Sequence, residues 1–183
     1  PFVFEVRDLW PEIPEAMRII RNPLILQLMG MLARSIYKRA DRVIALAPGI
    51  KEEIEKKNIA SDKIIMIPNG SDLKLFDKVR KNDENRFQIV FCGAHGLANG
   101  LDKVLDAALQ LKLRRDDMAR FVFVGEGGEK KRLISRAAEM GLNNCEFLDS
   151  MPKTELAYFL AKCDAAIMCL ENISIFHEGS SPN

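Results

Sequence analysis

The chain has 183 residues with a formal net charge of +1, and 48% of its residues are hydrophobic. This balance is typical of a folded globular protein and excludes a disordered or fibrous chain. A charge so close to zero also argues against nucleic acid as a partner. The four cysteines lack the CxxC spacing of a metal site, and Cys92, Cys163 and Cys169 lie in or beside apolar runs. We therefore expect buried thiols and a reducing, cytoplasmic location.

The first part of the chain alternates between short apolar runs and helical patterns. The sequence predicts strands at 2–8, 42–47 and 63–68, and helices at 23–40 and from Pro48 to about 57. The longest apolar run, "PLILQLMGMLA" (23–33), is too short to cross a bilayer. Two interpretations of it stay open: a buried helix, or an amphipathic helix that rests on a membrane surface or a lipid acceptor.

Residues 74–86 are charged and show little periodicity, so they predict a linker between two domains, 1–73 and 87–183. The second domain repeats the pattern of the first. Its predicted strands are 87–93, 120–125, 145–149 and 164–170, and its predicted helices are 101–112, 129–140 and one that begins at Pro152. Strands and helices that alternate in this way indicate an α/β fold with parallel sheets. Ligands of such sheets bind beyond the carboxyl ends of the strands.

The first glycine loop (residues 93–100) follows a predicted strand and contains Gly93, Gly96 and Gly100. Glycines let a phosphate approach the backbone, and the N–H groups at the start of the following helix favour an anion. The spacing matches neither the dinucleotide fingerprint GxGxxG nor the P-loop. Phosphate binding and a tight turn therefore both remain open for this loop.

Two polar residues of the first glycine loop each have a structural and a functional interpretation. His95 is either a ligand contact or an ordinary structural histidine. Asn99 is either a ligand contact or the N-cap of the following helix, with Asp102 three residues later as in a capping box.

The second glycine loop (residues 125–129) is followed by three cations, Lys130, Lys131 and Arg132, in the first turn of a predicted helix. The helix dipole disfavours cations at that end. A bound polyanion would reverse this preference, and a solvated charged face is the alternative explanation.

Arg7 and Asp8 end the first predicted strand, where neighbouring residues point to opposite faces. An arginine at the carboxyl end of a sheet suits an anionic or hydroxylated ligand. An internal ion pair, or support for the proline turn that follows, is the alternative. We expect Trp10 to pack beneath that turn.

The order of these motifs resembles glycosyltransferase family 4, in the branch that builds bacterial capsule and O-antigen sugars. The segments that carry the resemblance are "VRDLWPE", "KRADRVIALAPGIKEEI", "DKIIMIPNGSDLKLF", "IVFCGAHGLANGLDKVLDAA", "FVFVGEGGEKKRL", "DAAIMCL" and "SSPN". The resemblance covers essentially the whole chain and implies the GT-B fold, in which two Rossmann-like domains face a cleft. Residues 1–73 would be the last part of the acceptor-side domain, and residues 87–183 the first part of the donor domain.

The resemblance assigns the donor diphosphate to Gly93, His95, Gly96, Asn99, Lys130 and Lys131. Many members of the family have an arginine early in the first glycine loop and a lysine before its last glycine, where this chain has His95 and Asn99. The helix N-terminus and the two lysines would then stabilise the leaving group.

The resemblance assigns the vicinity of the donor sugar and nucleotide to Gly125, Glu126, Gly127 and Met151. The family has a His-Asp pair near the transferred sugar, at the end of an acceptor-side strand, where this chain has Arg7 and Asp8. These two are the implied catalytic residues. Because arginine replaces histidine, a charge-stabilising role fits the pair better than proton transfer.

The implied activity is that of a retaining hexosyltransferase that needs no metal and no cofactor. The implied donor is a nucleotide sugar, a UDP-sugar, and the implied acceptor is a polyprenyl-diphosphate-linked saccharide. The enzyme would be cytoplasmic, with a peripheral contact at the inner face of the plasma membrane. Two alternatives remain: a UDP-sugar 2-epimerase of the same fold, which needs carboxylates and a histidine as acid and base, and a non-catalytic module that binds a nucleotide or phosphate.

The sequence begins "PFVFEV" and ends "GSSPN", and we interpret it as part of a longer chain. In this branch of the family "SPN" is followed by a lysine and a helix whose carboxylate binds the donor ribose. Without that carboxylate we expect this piece alone to be a poor or inactive enzyme.

Overall fold

The computed structural model describes residues 1–76, 86–114 and 119–179. The chain divides into two compact units. Unit 1 comprises Pro1–Ser71 and the end of the chain from Asn172, and unit 2 comprises Asp72–Glu171. Each unit contains one parallel sheet with helices, which confirms the predicted α/β class.

The secondary-structure elements are numbered in chain order. The strands are β1 (Val3–Val6), β2 (Arg42–Ala45), β3 (Ile64–Met66), β4 (Phe87–Cys92), β5 (Ala119–Val124), β6 (Cys145–Leu148) and β7 (Ala165–Ala166). The helices are α1 (Glu12–Ala16), α2 (Pro23–Arg39), α3 (Pro48–Lys56), α4 (Leu73–Phe76), α5 (Asp102–Leu113), α6 (Lys130–Glu139), α7 (Lys153–Leu160) and α8 (Ser174–Gly179).

The sheet of unit 1 has the strand order β1-β2-β3, and all its strands are parallel. The central strand β2 buries Val43 and Ala45 completely. Helix α3 buries Ile50 and Ile54, which are one turn apart and therefore share a face, in the same core. This core fixes the strands whose carboxyl ends carry the candidate residues of unit 1.

The sheet of unit 2 has the order β6-β5-β4-β7, again with all strands parallel. Central strand β5 is buried continuously from Phe121 to Val124, as expected when both faces of a parallel sheet are covered. Phe121 and Phe123 pack in the cluster that includes side chains of α5 and α6, whereas Val122 and Val124 pack on the other face with side chains of α7. The register places Cys92 of β4 opposite Val124, so the two glycine loops leave the sheet side by side.

The predicted strands and helices are confirmed to within a few residues, with two differences. Strand β7 pairs with β4 over two residues only, although 164–170 is the predicted strand. Helix α1 forms where only a proline turn is predicted. It tolerates two prolines because Pro11 is its N-cap and Pro14 lies in the first turn, where a missing N–H costs no helical hydrogen bond.

The domain boundaries differ in one respect from the sequence-based assignment of 87–183 to a single domain. Helix α8 groups with unit 1, where Ile175 packs against the unit 1 core. Residues 77–85 of the predicted linker 74–86 lie outside the described residues. The limits 1–73 and 74–86 therefore stay predictions.

The expected burial of the cysteines is wrong for Cys92, which is exposed, while Cys145, Cys163 and Cys169 are half-buried. Cys92 is the last residue of β4 and therefore lies at the carboxyl edge of the sheet rather than between its helices.

Candidate functional site

The two glycine loops of unit 2 are hydrogen-bonded to each other through their backbones. The N–H of His95 donates to the Glu126 carbonyl over 2.8 Å, and the N–H of Glu129 donates to the His95 carbonyl over 2.9 Å. The N–H of Gly93 donates to the Val124 carbonyl over 3.0 Å, which extends the β4–β5 pairing into the loops. The loops therefore form one continuous surface at the carboxyl edge of the sheet.

Two glycines of the second glycine loop are explained by this contact rather than by a ligand. A Cβ atom at Gly125, whose φ is +141°, would lie 2.0 Å from the Gly93 carbonyl oxygen. A Cβ atom at Gly127 would lie 2.3 Å from the His95 carbonyl oxygen. By contrast, a Cβ atom at Gly128 would meet nothing within 4 Å. Open space beside the backbone thus exists at Gly128, whereas the other loop fills the space beside Gly125 and Gly127.

The His95 side chain is fully buried beneath the first glycine loop. Its ring lies 5.9 Å from the Phe91 ring, 6.5 Å from that of Phe123 and 6.2 Å from that of Phe147, measured between centroids. Neither ring nitrogen has a hydrogen-bond partner among the described residues. The structure therefore differs from the expected diphosphate contact, because this side chain presents no atom to a ligand.

Burial lowers the pKa of His95 below its ordinary value of 6.5, and the nearby Lys130 ammonium adds to the shift. The imidazole is therefore neutral at physiological pH. The role of His95 in the loops comes from its backbone rather than from its ring. Its N–H and its carbonyl oxygen form the two hydrogen bonds that hold the second glycine loop in place.

Lys130 connects the second glycine loop to the loop that follows β6. Its ammonium donates to Glu126 over 2.9 Å, to Asp149 over 2.6 Å and to the Leu148 carbonyl over 3.1 Å. Asp149, and then Glu126, raise its pKa by hydrogen bonding to the charged form. The charge of Lys130 is thus already compensated, whereas Lys131 is exposed and makes no ion pair among the described residues.

The capping box expected at Asn99 and Asp102 is wrong. Helix α5 has Leu101 as its N-cap, without a side-chain cap. The Asn99 side chain instead donates to the Ala94 carbonyl over 2.7 Å and stabilises the first glycine loop from within.

Asp102 belongs to an ion-pair network between α5 and α6 that sequence analysis missed. Arg132 donates to both of its carboxylate oxygens, over 2.9 and 2.6 Å, and Arg136 bonds to Asp102 as well as to Asp106. Hydrogen bonding from Arg132, more than any other interaction, lowers the pKa of Asp102 to about 2. The charge of Arg132 is therefore matched inside unit 2. The missed signal was the i, i+4 spacing of both the acidic and the basic pair on neighbouring helices.

Residues predicted near the donor sugar and nucleotide lie at one edge of unit 2. The Glu126 carboxylate is about half exposed and accepts from the Ser150 N–H over 3.4 Å as well as from Lys130. Met151 is half-buried against the cluster of Val122 and its neighbours. The second glycine loop and the loop after β6 are thereby brought together.

In unit 1, Arg7 and Asp8 are exposed residues that follow β1. The Arg7 guanidinium lies 3.9 Å from the Glu5 carboxylate. Both Arg7 and Asp8 line a pocket of about 280 Å³ between β1 and α2. Trp10, expected beneath the turn, is half exposed and lines this pocket too.

The remaining wall of this pocket is apolar and comes largely from α2. Its α2 side chains are Met29, Leu32, Ala33, Ile36 and Tyr37. A charged mouth above an apolar wall suits a ligand that has both polar and hydrocarbon parts. Among the described residues, no helix combines the length and the apolar character that a bilayer span needs.

Known families match both units. The family described as "Glycosyl transferases group 1" matches residues 72–179, and "Glycosyltransferase Family 4" matches residues 1–75.

WcaI of Escherichia coli K12, named as a candidate glycosyl transferase of colanic acid biosynthesis, is 30% identical over 134 residues. WbjE of Pseudomonas aeruginosa, named as a candidate glycosyltransferase, is 24% identical over 181 residues. These alignments cover 67% and 93% of this chain but only 32% of WcaI and 44% of WbjE, so the chain spans less than half of either relative.

Solved structures share the fold. Anabaena HepE, crystallised with UDP and glucose, matches 91% of this chain and 45% of its own length, with a TM-score of 0.70 at 19% identity. WaaG, a glycosyltransferase involved in lipopolysaccharide biosynthesis, matches 92% of this chain and 50% of its own length, with a TM-score of 0.71 at 14% identity. These matches identify the GT-B type of fold that the motifs imply, and together with the family matches they show that the chain belongs to the glycosyl transferases of group 1.

Proposed function

We propose that this chain is part of a retaining glycosyltransferase of cell-surface polysaccharide synthesis. It would transfer a hexose from a UDP-sugar to a saccharide linked to polyprenyl diphosphate, at the inner face of the plasma membrane. The family supports sugar transfer. HepE, which was crystallised with UDP and glucose, supports the donor, and the name of WcaI supports a polysaccharide product.

The observation that carries the proposal is the joined surface of the two glycine loops. The N–H groups of Gly96 and Gly128 donate to no acceptor among residues 1–76, 86–114 and 119–179. Both glycines lie at the carboxyl edge of the sheet, where a Cβ atom would meet only Asn99 Nδ2, at 3.7 Å, beside Gly96 and nothing within 4 Å beside Gly128. Backbone donors of this kind suit the oxygens of a diphosphate and need no reorganisation when charge develops on the leaving group.

The proposed roles of the predicted donor residues are adjusted to their contacts. Gly93 and Gly96 leave room for the diphosphate, while His95 and Asn99 hold the loop in shape. Lys131 supplies a mobile positive charge, and Lys130 fixes Glu126 in position. Glu126 and Met151 border the sugar and nucleotide, while Gly125 and Gly127 allow the two glycine loops to pack against each other.

The pocket of unit 1 is the proposed acceptor site. Its apolar wall accommodates hydrocarbon next to a sugar, and Arg7 and Asp8 offer a cation and a carboxylate to hydroxyl groups and phosphate. In the proposed reaction the acceptor hydroxyl attacks the anomeric carbon on the face from which the diphosphate departs, and its proton passes to the departing diphosphate oxygen. Arg7 stabilises charge in this step, which requires neither metal nor cofactor.

The burial of His95 removes one of the two histidines of the chain as an acid–base candidate for the epimerase alternative, because such a histidine must reach its substrate. Incubation of the protein with UDP-GlcNAc alone separates the two activities. An epimerised sugar nucleotide formed without acceptor would refute transfer, and transfer only in the presence of a lipid-linked saccharide would support it.

A titration with UDP tests the donor site in the chain itself. We expect amide shifts that are confined to the two glycine loops and the loop after β6, with UMP weaker than UDP because it lacks the second phosphate. Lys131→Gln should weaken binding, while Lys162→Gln, which removes an exposed lysine after α7, should not. No response at millimolar UDP would refute the donor assignment.

A further inference from the structure

A carboxylate of unit 2 lies directly against the end of the first glycine loop. A Cβ atom at Gly100 would lie 3.0 Å from Glu171 Oε1 and 3.4 Å from the Glu171 nitrogen. The Glu171 N–H donates to the Ala98 carbonyl over 2.8 Å, so the chain that follows β7 runs alongside the loop. Glu171 therefore places a negative charge at the carboxyl edge of the sheet, beside the loop that carries the proposed diphosphate site.

The second oxygen of this carboxylate accepts a hydrogen bond from the ammonium of Lys103. The bond from Lys103 Nζ to Glu171 Oε2 is 2.6 Å long, and it raises the pKa of Lys103. Lys103 lies in the first turn of α5, where the helix dipole disfavours a cation. The neighbouring Asp102 is bound by Arg132 and Arg136. The anion that accompanies Lys103 in the structure is therefore Glu171.

A tight turn brings Lys103 to the same end of the loop as the proposed diphosphate donors. The Asn99 N–H donates to the Gly96 carbonyl over 3.1 Å, and the Lys103 N–H donates to the Gly100 carbonyl over 3.0 Å. The first and fourth Cα atoms of such a turn are less than about 7 Å apart. Through the carboxylate that it shares with Gly100, the Lys103 ammonium thus lies about one turn from Gly96, whose N–H has no acceptor among the described residues.

The pair of Lys103 and Glu171 can exchange partners at small cost. Its side chains are 56% and 35% exposed, and an ion pair so accessible to water adds little to stability. Lys130 differs, because its side chain is 11% exposed and its ammonium donates to three acceptors. Releasing Lys130 would break three hydrogen bonds, whereas releasing Lys103 breaks one. Lys103 is therefore a cation that is held beside the loop and remains available to a ligand.

We propose that Lys103 is a further donor-binding residue, and that the diphosphate of a UDP-sugar replaces the Glu171 carboxylate as its partner. A diphosphate has more negative charge and more acceptor oxygens than one carboxylate, so it competes successfully once the glycine loops bind it. Without donor, Glu171 keeps the ammonium beside the loop and competes with any anion that enters. This inference rests on the proposed donor site, to which it adds one cation and one competing carboxylate.

The affinities of the chain for UDP, inorganic pyrophosphate and uridine, measured from amide shifts, test the exchange. Lys103→Gln should weaken binding of UDP and pyrophosphate about tenfold, through the loss of one charged hydrogen bond, and Lys103→Arg should restore most of it. Glu171→Gln should strengthen binding of both about threefold, because no carboxylate then holds the ammonium. Neither Gln substitution should change the affinity for uridine, which has no phosphate.

Glu139→Gln and Lys162→Gln are matched controls for the change in net charge. Glu139 is the last residue of α6, Lys162 follows α7, and both are exposed. These two variants should bind all three ligands as the wild type does. If either one reproduces the effect of its counterpart, net charge explains the result and the inference is refuted.

The remaining outcomes separate this inference from the proposed function. If the wild type binds UDP and Glu171→Gln binds it no more tightly, the exchange is refuted while the donor site stands. Wild-type affinity in Lys103→Gln would likewise refute the contact of Lys103 alone. Equal losses for UDP and uridine would show that a substitution distorts unit 2 rather than removes a phosphate contact, which also refutes the inference. Absence of UDP binding by the wild type would overturn the proposed donor site and this inference with it.

Discussion

The glycine loops of unit 2 and helix α2 of unit 1 are the two most unusual stretches of the sequence, and the structure explains them differently. In unit 2, several of the unusual residues have internal partners: Gly127 contacts the His95 backbone, and Lys130 bonds to two carboxylates. In α2, the outer face, made of Leu24, Leu28, Met31 and Leu32, is 54% to 68% exposed, and residues 16–40 around it include five basic residues and no acidic one.

This difference changes which atoms are candidates for function. Side chains that suggested a ligand in unit 2 stabilise the loops, so the surface they leave for an anion is mainly backbone. In unit 1 the unusual side chains themselves form the available surface. Substitutions that separate the two loops should therefore cost folding stability, whereas substitutions on the outer face of α2 should change it little.

The largest expected effect is that of Gly127→Ala. The new Cβ would lie 2.3 Å from the His95 carbonyl oxygen and 2.5 Å from its carbonyl carbon, and these backbone atoms cannot give way like a flexible side chain. Separating the two loops would break the hydrogen bonds that join them. We expect a loss of about 3 kcal/mol in the free energy of unfolding, measured with urea.

Gly128→Ala is the matched control for this substitution, because a Cβ atom there meets nothing within 4 Å. It should change the free energy of unfolding by less than about 0.5 kcal/mol. Similar losses for the two variants would show that the loops do not touch as described.

The next effect in size is that of Asp102→Asn, which leaves Arg132 and Arg136 without their shared carboxylate. The pKa of Asp102 falls from 3.8 to about 2 on folding, so its contribution is present above pH 3.8 and is lost as the pH falls toward 2. Because the side chain is 29% exposed, we expect a loss of about 1 to 2 kcal/mol at neutral pH rather than the full linkage value.

Urea unfolding of both proteins across this pH range checks the assignment, since the difference between them should shrink with acid. Asp106→Asn is the control. Asp106 pairs with Arg136 alone among the described residues and is 55% exposed, so its loss should cost less than about 0.5 kcal/mol. A pH-independent difference for Asp102→Asn would rule out the carboxylate charge as its cause.

His95→Leu should have a smaller effect of the opposite sign. The substitution removes two buried ring nitrogens without partners among the described residues and keeps an apolar side chain among three phenylalanine rings. We expect the free energy of unfolding at neutral pH to stay level or rise by about 1 kcal/mol. A loss above about 2 kcal/mol would show that the ring makes a polar contact worth that much.

The pH dependence of the same variant gives a second readout. Because folding lowers the pKa of His95, its neutral form is fully compatible with the fold above pH 6.5, and stability is lost as the pH falls below that value. His95→Leu should remove this part of the acid sensitivity of the wild type. Parallel pH profiles would contradict the buried, unpaired ring.

The sequence allowed most of the fold to be predicted, because apolar runs of β-branched and aromatic residues alternate with helical patterns at the right lengths. It did not predict that α8 groups with unit 1, since no local pattern records which core a late helix joins. The two-residue pairing of β7 was missed for a related reason. An apolar run such as 164–170 indicates that a segment is buried, but how many of its residues pair in the sheet depends on the neighbouring strand, here β4.

The candidate loops were predicted and most of their side-chain roles were not. His95 is buried by Phe123 and Phe147, which lie on strands far along the chain, and a lone histidine in a glycine loop carries no sign of that. Lys130 likewise meets Asp149 only because β5 and β6 are neighbours in the sheet. By contrast, the i, i+4 pairs of α5 and α6 were visible and could have been matched once the helices were placed side by side.

The smallest expected effect on stability is that of Leu28→Gln, on the outer face of α2. The side chain is 62% exposed, so its replacement should change the free energy of unfolding by less than about 0.5 kcal/mol. Ile36→Gln, one face away on the same helix, should cost more than about 2 kcal/mol because it places an amide against the unit 1 core. Urea unfolding of the two variants thus separates the faces of one helix. If Leu28→Gln proves as costly as Ile36→Gln, the outer face is buried within the folded protein. Helix α2 would then not differ from the glycine loops of unit 2 in the way that its exposure indicates.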